Sequence, residues 1–179
     1  PGLGIVIASR ADGTRLLAQR TDEAPVPTWF VTNPATPEAP PTPQRYPAAG
    51  ERNAEVSLWL LDPDGESVQV ELPGDAEYLA SVDWSDRGEP LAGVLDRVQR
   101  TMSWYAVDVA TGSTRQVRTV SDDAWVDVIP GTGRWDHAGR LVTIEVREGD
   151  YALCADGQRI SPDGLQVRAV VGVGASDVL

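Results

Sequence analysis

Short runs of apolar and polar residues alternate along this chain, and glycine-containing turns separate them. Val68, Val70 and Leu72 alternate with Gln69 and Glu71. That period of two predicts a half-buried strand with Val68, Val70 and Leu72 on the buried face. Gly4 to Ser9 is apolar and β-branched, Asp12-Gly13 follows, and Thr14 to Arg20 reads as the returning strand. Asp-Gly between two such runs is a hairpin signal. The same unit recurs as Ala54 to Leu61, Asp62-Pro63-Asp64-Gly65 and Glu66 to Leu72. It recurs again as Ser103 to Val109, Ala110-Thr111-Gly112 and Thr114 to Val120. Leu141 to Arg147, Glu148-Gly149-Asp150 and Tyr151 to Cys154 make a further copy, ending at Asp156-Gly157.

Taking the equivalent turns together, the repeat is about 40 to 45 residues with about four strands each, the signature of a propeller blade. The expected fold is therefore all-β, a partial β-propeller of about four blades, in which residues 1–179 are a fragment of one propeller domain. Val94, Leu95, Val98, Met102 and Tyr105 also fit a helical spacing. We read this region instead as a strand over Pro90 to Leu95, a turn at Asp96 to Arg100 and a strand from Thr101. Its neighbours on both sides are strands, and Trp104-Tyr105 favours extended backbone.

Residues 25–47 break the pattern, holding eight of the fourteen prolines. Proline lacks a ladder donor and fixes φ, which excludes a central strand. The segment is expected to be an extended connector or arm. Trp29, Phe30 and Val31 within it suggest that part of it docks on another surface.

Composition narrows the function classes. The chain has 179 residues, a formal net charge of −12, one Cys, one His and one Met, and its fifteen basic residues are all Arg. One cysteine cannot close an internal disulfide or build a Cys-rich zinc site. An acidic chain without a basic cluster is a poor partner for nucleic acid. No apolar run approaches the roughly 18 residues of a spanning helix, so no membrane association is expected. The lone Cys and the lack of a leader pattern lean toward the cytoplasm.

Candidate chemistry is sparse. There is no Gly-x-Ser-x-Gly elbow, and the single His137 sits in a turn, Asp136-His137-Ala138-Gly139. Cys154 reads as a small buried hydrophobe. Asp62-Pro63-Asp64-Gly65 starts like a calcium loop but lacks the later ligands. No catalytic residue, metal site or cofactor is expected. The six tryptophans stand out. Trp59 and Trp104 are expected in the core. Trp84 and Trp125 lie at strand ends, as packing anchors or as a stacking platform for a ligand.

The order of segments resembles the N-terminal β-propeller region of dipeptidyl peptidase IV-like serine peptidases, in the prolyl oligopeptidase superfamily. Residues 9–27, Ser-Arg-Ala-Asp-Gly-Thr-Arg-Leu-Leu-Ala-Gln-Arg-Thr-Asp-Glu-Ala-Pro-Val-Pro, look like the family's Ser-Pro-Asp-Gly hairpin leading into its proline-containing arm. Arg45-Tyr46-Pro47-Ala48-Ala49-Gly50 with Asn53-Ala54-Glu55-Val56 is the most specific local match. Leu95-Asp96-Arg97-Val98-Gln99-Arg100 resembles a Leu-Asn-Arg-Asp-Gln-type turn. Asp108 to Gly112 and Ala124-Trp125-Val126-Asp127-Val128 follow in the family's order.

The resemblance implies the non-catalytic propeller portion of an exopeptidase that releases dipeptides. Its catalytic serine, aspartate and histidine would lie in a C-terminal α/β-hydrolase domain. Such a propeller shapes the access of a peptide substrate, and Trp125, Asp127 and Ile129 would face that substrate. The family's adjacent glutamates, which grip a free amino terminus, have no counterpart, since no Glu-Glu occurs here. Arg10-Ala11 stands where the family usually has proline before Asp-Gly, and Val6-Ile7-Ala8 replaces an aromatic pair. A homo-oligomer is expected, through open blade edges or through the arm. The alternative is a stand-alone binding or scaffold propeller without peptidase activity.

Overall fold

A computed structural model describes residues 5–9, 13–174 and 177–179. Among these residues the regular structure is all β, in three four-stranded antiparallel sheets and one two-stranded ribbon. The first sheet orders β1 (Ile5–Ser9), β2 (Leu16–Asp22), β5 (Glu55–Leu61) and β6 (Ser67–Gln69). The second orders β7 (Tyr78–Asp83), β8 (Leu91–Leu95), β9 (Thr101–Val107) and β10 (Thr114–Ser121). The third orders β11 (Arg134–Trp135), β12 (Leu141–Arg147), β13 (Asp150–Ala155) and β14 (Gln158–Arg159). Each sheet is a meander in chain order, the pattern of a propeller blade. About four blades were expected; three four-stranded ones are found among the described residues. The described residues after β14 contribute an isolated bridge, Val173 to Val178.

The hairpins fall where the turn residues require them. At Asp62-Pro63-Asp64-Gly65 the amide of Asp62 donates to the Glu66 carbonyl at 2.9 Å, and Gly65 supplies a φ of 91°. The stretch from Pro90 to Thr101 is strand, turn and strand, with Leu95 paired to Met102. The helical spacing there has a simple cause. The second sheet is buried on both faces, so β8 is buried at every position and its apolar residues follow no single period. Asp12 of the first turn lies outside the described residues.

Burial assigns the two faces. Leu17, Leu58, Leu60 and Val70 of the first sheet meet Ala92 and Val107 of the second, with Val68 and Leu72 packed against them. This is the face expected for Val68, Val70 and Leu72. The opposite face of the second sheet presents Leu91, Leu95, Met102, Trp104 and Ala106 to Leu141 and Trp135 of the third. Trp104 is 1% exposed, as expected of a core ring. Trp59 is not a core ring. It is half-buried and donates from Nε1 to the Ser57 hydroxyl at 3.0 Å, because it alternates with the buried Leu58 and Leu60.

Gly133 shows how tightly the second and third sheets meet. Its φ is +82°, and a Cβ there would stand 2.1 Å from Trp104 Nε1. The outer face of the third sheet is covered by the C-terminal segment, where Val170 and Val173 pack on Val142 and Ile144.

Arginines tie neighbouring sheets together. Arg15 bonds the Asp62 carboxylate of its own sheet and the Val109 carbonyl beside the second. Arg134 on β11 reaches Asp83 on β7 at 3.4 Å. Arg87 donates to the Val173 carbonyl at 2.7 Å.

Within the proline-rich segment two short strands form a ribbon. β3 (Thr28–Val31) pairs with β4 (Thr42–Arg45) between β2 and β5 of the first sheet. With only two strands, Pro43 occupies an edge position, where its missing N–H is tolerated. The aromatic residues do not dock on the sheets. Trp29, Phe30 and Val31 are 50%, 68% and 51% exposed. Trp29 meets Tyr46 edge to face, with ring centroids 5.8 Å apart. A two-stranded ribbon has no second layer to bury them against.

Candidate functional site

The loop that leaves β10 for the third sheet carries two of the three sequence-predicted site residues into one cleft. Asp122 opens the loop as an Asx turn, its Oδ1 accepting the amides of Ala124 at 2.7 Å and Trp125 at 3.2 Å. The amide of Val126 donates to the Gln99 carbonyl at 2.7 Å, which ties the loop to the β8–β9 turn. Trp125 and Asp127 then project into a cleft of about 230 Å³ between β10 and β12.

Asp127 is the hub of this wall. Trp125 Nε1 donates to Oδ1 at 3.1 Å, and the Tyr151 hydroxyl donates to Oδ2 at 2.5 Å. The Tyr151 phenol is shifted upward, because its proton is shared with the Asp127 carboxylate. Trp125 is 63% exposed, yet both its backbone and its indole N–H are fixed.

A second cluster surrounds Glu145 of β12, on the face of the third sheet opposite Tyr151. Arg118 of β10 donates to both carboxylate oxygens, at 3.1 and 2.9 Å. The Thr143 hydroxyl donates at 2.8 Å and Arg147 at 2.6 Å. Burial pushes the Glu145 carboxyl up, but the bonds from Arg118 and Thr143 outweigh it and hold its pKa below the ordinary value. Gly157 leaves room for Arg118, since a Cβ there would lie 2.3 Å from a guanidinium nitrogen.

Ile129 takes a different place. It is half-buried and packs on the third core cluster beside Val142 and Ile144. The family resemblance pointed to the loop as a whole and could not separate its residues. The sequence reading missed Tyr151, Arg118, Glu145 and Arg147. Tyr151 stands 24 residues from Asp127, and Arg118 stands 27 from Glu145. Only the packing of one sheet on the next brings them together.

The other candidates stay outside this cleft. His137 is exposed in its turn and accepts from Arg87 at 3.3 Å. Cys154 is fully buried and its thiol pKa is raised, chiefly by that burial, so it has no thiolate character. Asp62 is engaged by Arg15.

Comparison with known proteins decides the family. The profile of the dipeptidyl peptidase IV (DPP IV) N-terminal region matches residues 8–155. The chain belongs to this family. Among solved structures it is similar to dipeptidyl peptidase 4 of Porphyromonas gingivalis, with 25% identity and a TM-score of 0.76. That match covers 93% of this chain and 25% of the other. It is also similar in fold to a putative dipeptidyl aminopeptidase IV of Bacteroides ovatus, at 20% identity and a TM-score of 0.66. There the match covers 83% of this chain and 22% of the other. The chain thus spans about a quarter of the length of each. As a DPP IV N-terminal region, it is a partial β-propeller of the kind associated with a peptidase. Trp125, Asp127, Tyr151 and Glu145 all lie within the matched residues.

Proposed function

We propose that this chain is the non-catalytic propeller portion of a dipeptidyl-peptidase-type serine exopeptidase. It shapes the access of peptide substrates to a C-terminal α/β-hydrolase domain of the parent protein. The family match over residues 8–155 carries this reading. The acidic balance, −12 over the chain, suits peptides with a cationic amino terminus.

In this reading the loop after β10 is the substrate-facing part. Trp125 offers an aromatic face and Asp127 a carboxylate, while Ile129 anchors the end of the loop on the third core cluster. The rigidity of the loop supports the assignment, because a site gains from groups held in place before binding. The exposed β3–β4 ribbon supports a second part of the reading, a homo-oligomer formed through the arm. Trp29, Phe30 and Tyr46 give it the aromatic content of an interface.

The test is an X-Pro chromogenic peptide offered to the full-length parent and to the 179-residue chain. Cleavage by the parent alone is expected, with Asp127→Asn in the parent raising KM more than it lowers kcat. Cleavage by the chain alone, or an inert parent, would overturn the reading. A reading frame that stops at Leu179 would leave a stand-alone scaffold propeller in its place.

A further inference from the structure

The turn between β8 and β9 departs from its counterparts. Residues 96–99 close the same turn as residues 62–65 and 136–139. The amides of Gln99, Gly65 and Gly139 donate to the carbonyls of Asp96, Asp62 and Asp136 at 3.1, 3.0 and 3.0 Å. The last residue is left-handed in all three, with φ of 58°, 91° and 74°. Glycine adopts that conformation freely, whereas a side chain as at Gln99 makes it strained. The turn is held by Asp96, whose Oδ1 accepts the amides of Arg100 at 2.8 Å and Thr101 at 3.3 Å. With a side chain at residue 99 the backbone has fewer alternatives than with glycine, so this turn is the stiffer one.

The carbonyls of this turn hold the loop after β10. Gln99 accepts the amide of Val126 at 2.7 Å, and Arg100 accepts that of Asp122 at 3.0 Å. Trp125 stands between those two bonds. On its other side the turn reaches the base of the β3–β4 ribbon. Arg97 donates from one terminal nitrogen to the Glu51 carbonyl and from the other to Glu77 Oε1, both at 2.9 Å. Glu51 lies in residues 46–54, by which the chain leaves the ribbon for β5. The Glu51 amide donates to the Ala48 carbonyl at 2.9 Å, which folds that segment on itself. Five residues therefore bond the ribbon base at one end and the loop at the other.

We propose that residues 96–100 are a strut through which the ribbon base sets the position of the Trp125 loop. Arg97 and Gln99 are its positioning residues. Neither lines the cleft, and both act through the two carbonyls that the loop binds. Strain kept at Gln99 fits this role, since a turn that only joined β8 to β9 would do as well with glycine. Hydrogen bonds through one rigid element carry a displacement from end to end. That the strut regulates a substrate-facing loop rests on the reading above, whereas the coupling itself does not.

The experiment is amide hydrogen exchange of the 179-residue chain, resolved by residue. Arg97→Met removes both bonds to Glu51 and Glu77 and none of the bonds to the loop. It is expected to speed exchange at Val126 and Asp122 at least about threefold, the scale of one lost exposed ion pair. Arg97→Lys should recover part of the protection. Gln99→Gly keeps the φ of the turn and should speed exchange at the same two amides and at Glu51. The amides of Val70 and Val107, bonded within the sheets, should be unchanged in every variant, which separates loss of the strut from loss of the fold. Exchange at Val126 and Asp122 that ignores either Arg97→Met or Gln99→Gly, or a rise shared with Val70 and Val107, would overturn the proposal. No peptide and no parent protein enter the measurement. An inert parent therefore removes the substrate reading and leaves the strut, and unmoved amides do the opposite.

Discussion

Arg118 on β10 clasps Glu145 on β12 through two hydrogen bonds, and so locks the second sheet to the third across their seam. The Glu145 side chain is 4% exposed and that of Arg118 27%. Removing one partner of a buried pair leaves a charge with too few bonds, which costs roughly 3–5 kcal/mol. Arg147 and Thr143 still hold Glu145, so Arg118→Met is expected at the low end, about 3 kcal/mol. Urea denaturation reads this directly. The double variant Arg118→Met with Glu145→Leu should recover most of the loss. A single variant as stable as the parent chain would show that the clasp does not hold the seam.

Glu145 also makes stability depend on pH in a set direction. Its folded pKa lies below the unfolded value, because the bonds from Arg118 and Thr143 outweigh burial. Such a group stabilises the fold above its unfolded pKa of about 4.3, and that contribution is lost as pH falls through the folded value. Asp83 acts in the opposite sense, since burial raises its folded pKa despite Arg134. The difference between the chain and its Glu145→Gln variant isolates Glu145 from such opposing groups. That difference should be constant from about pH 7 to pH 5 and shrink below about pH 4. A difference that grows in acid would contradict the depressed pKa.

The strands and turns were legible because their signals are local. Val68, Val70 and Leu72 share a face by alternation, and Asp62 to Gly65 makes a turn wherever it stands. Of the cleft's lining, Trp125 and Asp127 lie on the loop that the family resemblance singled out. Tyr151, Arg118 and Glu145 were not, because 27 acidic residues and fifteen arginines allow too many pairings in one dimension. Their meeting depends on how sheets stack, and strand periodicity carries no information about that. Trp29 and Phe30 suggested an arm docked on another surface, and within this chain the two strands of the ribbon leave them exposed.

Gly133 stands between β11 and the ring of Trp104, and no side chain fits there. A methyl group would lie 2.1 Å from the indole nitrogen, on a backbone with φ of +82°. Gly133→Ala therefore combines overpacking with a disfavoured dihedral, and should destabilise by more than about 2 kcal/mol. The near-ultraviolet dichroism of Trp104 should change with it. Gly149→Ala is the control, having a similar φ of +87° with nothing within 4 Å of the added carbon. It should cost only the backbone share, about 1 kcal/mol. Equal losses at the two sites would show that Trp104 yields to the methyl group and that the contact is not tight.

The β3–β4 ribbon is where association should be decided. Phe30 is 68% exposed and Trp29 50%, on two strands with no covering layer. Aromatic rings in that position are enriched where one chain meets another. In a propeller-derived chain the exposed faces of terminal blades compete with the ribbon as contact surfaces. Phe30→Arg separates the two, since it touches the ribbon and leaves the blades alone. By light scattering, the unsubstituted chain should form a dimer or larger species at high concentration, and Phe30→Arg should be a monomer. Its thermal unfolding, measured at low concentration, should shift by no more than about 0.5 kcal/mol, because an exposed residue outside the core is replaced. Association that survives Phe30→Arg would move the contact to the blade faces. A clean monomer before any substitution would remove the oligomer from the proposed function.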